Sequence, residues 1–129
     1  MRAEQEHNNS RIVASANEGS IKVPVVTVDS TVGNNVIHAL KIDVEGFELA
    51  VLLGAEETIK MHKPWICVEF NTLLTRVNKL LQWDVHQLLT DWGYIAHRFE
   101  NALQPSRIVP NDFEFSGYCN LYYSSTGTP

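Results

Sequence analysis

Within Ala39–Asn71, ALKIDVEGFELAVLLGAEETIKMHKPWICVEFN, the hydrophobic period changes twice. Ala39 to Val44 alternates as a strand does, with Leu40, Ile42 and Val44 on one face. Glu45-Gly46 ends the run, and glycine lets a strand turn into a helix without a Cβ clash. From Phe47 to about Met61 the apolar residues Val51, Leu52, Ala55 and Ile59 recur at helical spacing. Lys60, His62 and Lys63 suit the negative end of that helix, and Pro64 stops it. Trp65 to Phe70 is a second strand, apolar except for Glu69. Two such strands joined by one helix predict a βαβ unit, with parallel strands and a right-handed crossover.

Ligands of open α/β sheets bind beyond the carboxyl ends of the parallel strands. Here those ends carry Asp43 and Glu45 on the first strand, and Glu69 and Asn71 on the second. A carboxylate in an apolar run needs a partner. Asp43 is therefore either a turn residue accepting backbone N–H bonds or a functional group. Glu45 is either a helix-start charge or a functional group. Glu69 reads first as a structural strand-end residue.

The same residues resemble a known family. LKIDVEGFE followed by VLLGAEETI, then HKP and ICVEFN, is similar to the core signature of the FkbM-type methyltransferases. The upstream VPVVTVDS, Val23 to Ser30, matches the segment that precedes it in that family. The resemblance covers roughly residues 20 to 71. It implies a Rossmann-like methyltransferase sheet, S-adenosylmethionine as cofactor, and O-methylation of a small molecule or sugar hydroxyl. By position it implies Asp43 and Glu45 as catalytic residues, with Lys41, Glu69 and Asn71 lining the cleft. The family begins with a glycine-rich strand-turn-helix that binds the cofactor, and this chain's seven glycines are scattered. The expectation is a partial sheet, the second half of the domain: a parallel βαβ core with an antiparallel last strand. The resemblance also implies that Cys67 and Cys119 are neighbours across two strands. The alternative is a non-catalytic remnant acting as an interaction or regulatory half-domain.

Composition bounds these readings. A chain of 129 residues is one domain at most. A hydrophobic content of 44% excludes a disordered chain, and a net charge of −5 without a basic run argues against nucleic acid. The longest apolar stretch, Leu49 to Ala55, is too short to span a membrane. The polar start MRAEQEHNNS is not a secretory signal, and Cys67 and Cys119 read as buried free thiols, so a cytoplasmic location is expected. The histidines lack ligand spacing, so no metal site is expected.

The flanks complete the expectation. Residues 1–19 are a polar segment in which His7 is solvated and Arg11 to Ser15 forms a frayed edge strand. Residues 20–123 are the partial methyltransferase domain, and 124–129 a disordered tail. Lys22 to Val28 is β-branched and predicts an edge strand, weakened by Pro24. Asp29 or Ser30 caps a short helical turn running toward Gly33-Asn34-Asn35. Thr72 to Gln82 has helical spacing, with Arg76 and Lys79 near the cleft mouth. Asp84 caps a clear helix through Val85, Leu88, Leu89 and Trp92, with His86 on its polar face. Tyr94 to Phe99 is a strand, 101–112 a loop, and Phe113 to Tyr123 a last strand or hairpin. Without a cofactor-binding strand beside Ala39–Val44, that strand is an open edge, a template for self-association.

Overall fold

A computed structural model describes residues 20–101 and 107–126. The elements run α1 (Val28–Val32), β1 (Ala39–Ile42), α2 (Glu48–Leu53), α3 (Glu56–His62), β2 (Trp65–Asn71), α4 (Thr72–Thr75), a 3-10 turn (Leu80–Gln82), α5 (Asp84–Asp91), β3 (Tyr94–Arg98), β4 (Arg107–Ile108) and β5 (Tyr118–Ser125). They form a mixed α/β domain around a five-stranded sheet of order β1-β2-β5-β3-β4. β1 and β2 are parallel, as the βαβ pattern requires. β5 then runs antiparallel between β2 and β3.

Alternation in β2 divides the sheet into two faces. Ile66, Val68 and Phe70 are buried, and with Ile42, Leu121 and Tyr123 they meet Leu52, Ile59, Leu80, Val85 and Leu89 in one core. This is the period-2 pattern that buries one side of a strand. The opposite face carries Trp65, Cys67, Glu69 and Asn71, paired in register with Ala39 and Lys41 on β1 or with Tyr118, Asn120 and Tyr122 on β5. These residues are half-buried or exposed. β1 is an edge strand, with no strand paired to its outer side among the described residues.

Several expectations change in three dimensions. The helix expected over Phe47–Met61 is two helices, broken at Gly54-Ala55. A Cβ on Gly54 would lie 3.3 Å from the Thr27 side chain, and Asp29 donates its N–H to Gly54 O at 3.0 Å. Glycine thus permits the upstream segment to approach. Asp29 does not cap its own helical turn, a role taken by Thr27. Its carboxylate instead accepts the Glu57 and Thr58 N–H groups at 3.2 and 2.8 Å, capping α3 from 28 residues away. Partial desolvation pulls the Asp29 carboxyl up. Hydrogen bonds from the Thr58 hydroxyl and the two backbone N–H groups outweigh it and leave the carboxyl below its usual range.

Lys22–Val28 does not form a strand. Residues 20–27 are irregular, with Ile21, Val23, Val25 and Val26 exposed. The helix expected over Thr72–Gln82 is one turn followed by an extended segment. Arg76 adopts a left-handed conformation (φ 56°), and Lys79 then bridges Glu114. Leu80 N–H bonds Phe113 O and Phe115 N–H bonds Asn78 O, so pairing with 113–115 replaces helical bonding. α5 starts one residue earlier than expected, with Trp83 as cap and Asp84 in the first turn. His86 is not on a polar face: it is 3% exposed, its Nδ1 3.0 Å from the Tyr123 hydroxyl. Cys67 pairs with Tyr122 and Cys119 with Phe70, so the cysteines face opposite sides of the sheet and are not neighbours. β5 continues through Ser125, two residues into the stretch read as a tail, because Ser124 and Ser125 pair with Ile95 and Tyr94. The 101–112 loop holds the two-residue β4. His7 and Arg11–Ser15 lie outside the described residues.

Candidate functional site

The site begins in the turn after β1. Glu45 (φ 52°) and Gly46 (φ 101°) are both left-handed, which reverses the chain within two residues. Gly46 does this freely, whereas Glu45 costs about 1 kcal/mol as a residue with a Cβ. The compensation comes from Glu48, the first residue of α2. Its Oε1 accepts the Val44 N–H at 3.3 Å and the Gly46 N–H at 3.1 Å, and the residue is only 6% exposed. Glu48 thus ties α2 back onto the turn. Glu45 is not a helix-start charge, because α2 begins after Phe47.

Register then assembles the charged groups. Lys41 lies opposite Cys67 and Ile42 opposite Val68, so Asp43, next in the chain, falls beside Glu69. The Lys41 ammonium donates to Asp43 Oδ2 at 3.3 Å and to Asn120 Oδ1 at 3.2 Å. Asn120 in turn pairs with Glu69 across β2 and β5. Asp43 is exposed and ion-paired, with no backbone N–H donor to it among the described bonds. Glu69 is half-buried. Burial, then the charges of Asp43 and Glu45, push its carboxyl above the usual range, against the Asn71 side chain and Lys41. Lys41, Asp43, Glu45, Glu69 and Asn120 therefore form one electrostatic group at the carboxyl end of β1 and β2. Asn71 is at the same end, but its Oδ1 accepts the Leu73 and Leu74 N–H groups and caps α4. Arg76 and Lys79 take no part in this group. Burial pushes the Cys67 thiol up, so it is not an activated nucleophile.

Across the turn, toward the helices, lies a recess of about 250 Å3 walled by Gly46, Glu48 and Leu49, by α4, and by the start of α5. Sequence reasoning missed Glu48 and Asn120. The signal for Glu48 was an acid two residues past a turn glycine, in the first turn of a helix. Asn120 had no local signal, since only the β2–β5 register brings it to Lys41. Among the described residues no group of three or more His, Cys, Asp or Glu is placed to hold a metal ion. No described helix is long and apolar enough to cross a membrane.

No curated protein and no solved structure matches the chain. The family model of the FkbM methyltransferase domain matches residues 2–96, from the polar N-terminal segment through β1, the acidic turn and β2 into β3. That is well over half of the sequence, and the match includes the turn that gathers Asp43, Glu45 and Glu48. The chain belongs to the FkbM methyltransferase family.

Proposed function

We propose that this chain supplies the acceptor side of an S-adenosylmethionine-dependent methyltransferase acting on a hydroxyl of a small molecule or sugar. The observation that carries this reading is the register that sets Asp43 beside Glu69 at the carboxyl end of the parallel pair, with Lys41 and Asn120 on the same face. Asp43 and Glu45 orient the acceptor hydroxyl. Lys41 holds Asp43 in place through the 3.3 Å contact. Glu69 takes the hydroxyl proton, since a base works best when its proton affinity approaches the working pH, and Glu69 is displaced in that direction. Methyl transfer asks little more of the protein than alignment and removal of that proton.

The described residues do not by themselves fit the cofactor. A recess of about 250 Å3 takes roughly one ring, not a nucleoside joined to an amino acid. The turn glycine Gly46 follows β1 but no glycine cluster accompanies it. In this reading the cofactor's binding surface lies beyond the described residues. S-adenosylmethionine supplies the methyl group once bound there. The test is radiolabelled methyl transfer to a hydroxyl acceptor by the protein at saturating S-adenosylmethionine. Asp43→Asn and Glu69→Gln are expected to lower turnover while leaving the melting temperature nearly unchanged. Proportional losses of turnover and stability would assign both carboxylates to structure and overturn the reading.

A further inference from the structure

Resting on the methyltransferase reading, we propose that Asn120 is a positioning residue, which pins the Lys41 ammonium over β2 beside Asp43 and Glu69. The sheet order places β2 between β1 and β5. Register sets Asp43, Glu69 and Asn120 side by side across these three strands, with Lys41 and Cys67 two residues nearer the strand starts. Residues two apart in a strand share a face, and here it is the face away from the core. The ammonium donates to Asp43 Oδ2 at 3.3 Å and to Asn120 Oδ1 at 3.2 Å. Adjacent strands lie about 4.8 Å apart, so the bond to β5 draws the lysine from β1 across β2. An ammonium only donates, so the Asn120 amide turns its oxygen toward it.

Asp43 alone would hold this cation poorly. Both side chains are nearly half exposed, and such a pair restrains a flexible four-carbon stem only weakly. The second acceptor, on β5, removes that freedom. Asn120 is also neutral. A carboxylate in its place would hold the ammonium and cancel its charge, whereas an amide holds it and leaves the charge to act on the groups around it. Burial raises the Glu69 carboxyl, the Cys67 thiol and the Tyr122 phenol, and the Lys41 charge opposes the rise in each. Asp43 and Glu45, at the end of β1, raise Glu69 further, while the Asn71 side chain acts with Lys41. On β5, Tyr118 and Tyr122 flank Asn120, and His97 of β3 lies opposite Tyr122, one strand further off. The carboxylates of Asp43 and Glu45 thus oppose the ionisation of Glu69 and the Lys41 ammonium favours it. Where the ammonium sits sets the proton affinity of the proposed base.

The experiment is carboxyl-detected NMR of the full chain, labelled at its glutamate side chains and titrated through the carboxylate range. Asn120→Ala is expected to raise the Glu69 titration midpoint by about 0.2–0.7 pH units, the size of one partly exposed charge interaction. Asn120→Gln, which keeps an amide oxygen, should return part of that shift. Asn120→Asp should raise the midpoint beyond the alanine value. Lys41→Met should raise it too, and in that background Asn120→Ala should add nothing, because Asn120 acts through Lys41. Asn120 is exposed, so these changes alter the anchor and not the core. An unmoved midpoint in Asn120→Ala, or an equal rise with and without Lys41, would overturn the positioning role. In methyl transfer, Asn120→Ala should move the acidic limb of the pH–rate profile upward by the same amount, with no loss of melting temperature. An unmoved limb, in a protein whose turnover Glu69→Gln lowers, would overturn the inference and leave the methyltransferase reading standing. A midpoint that moves as expected, with transfer indifferent to Glu69→Gln, would sink Glu69 as the base and keep Asn120 as the anchor of Lys41.

Discussion

Replacing Glu48 by alanine should loosen the acidic turn before anything else in the molecule. The Glu48 carboxylate accepts two backbone N–H groups, from Val44 at 3.3 Å and Gly46 at 3.1 Å, while almost fully buried. Removing it frees both donors. Gly46 is exposed, so water can replace its partner at a cost of about 0.5 kcal/mol. Val44 is half-buried, and losing a bond to a charged group there costs about 1.5–3 kcal/mol. The sum is about 2–3.5 kcal/mol. For a chain of this size that corresponds to a fall of roughly 8–14 °C in melting temperature. Urea titration followed by circular dichroism measures the free energy, and amide exchange at Val44 and Gly46 locates it. Glu48→Gln keeps a neutral acceptor and should recover about half of the loss. A Glu48→Ala protein within about 0.5 kcal/mol of wild type, with both amides still protected, would refute the claim that Glu48 holds this turn.

Three further outcomes follow from other contacts. Asp29→Ala removes the cap of α3 and should cost about 1 kcal/mol in chemical denaturation. Because the Asp29 carboxyl is lowered on folding, its contribution is present above the unfolded value of 3.8 and is lost as pH falls through the lower folded value. Burial, opposed by the nearby Asn111 side chain, lowers the His86 imidazole below 6.5, so the folded state favours neutral His86. Stability should therefore be full above about pH 6.5 and decline as pH falls below it, a slope that His86→Gln flattens in thermal melts at pH 8 and pH 5. The 129-residue chain alone should bind S-adenosylmethionine more weakly than micromolar, and micromolar binding by isothermal titration would contradict the claim that the described residues do not by themselves fit the cofactor.

The parallel pair was legible in the chain because its signals are local. The alternation of Leu40 and Ile42, the break at Gly46, the stop at Pro64 and the run Trp65–Phe70 each act within a few residues. They sufficed to place Asp43, Glu45 and Glu69 at one end of the sheet, since strand direction follows from the crossover. Tertiary structure decided the rest. Helical spacing in Thr72–Gln82 lost to hydrogen bonds with Phe113 and Phe115, which no window of that sequence contains. The apolar Lys22–Val28 found no strand partner among the described residues, so its β-branched content did not make it a strand. His86 reads as solvent-facing because it is polar and falls outside the apolar stripe Val85, Leu88, Leu89 and Trp92. It is buried because β5 brings the Tyr123 hydroxyl within 3.0 Å. Asp29 became the cap of a helix 28 residues on, and Asn120 the second acceptor of Lys41 from 79 residues away. Backbone propensity and period act through neighbours in sequence. A polar side chain's partner is set by which elements the core packs together, and only the folded chain specifies that.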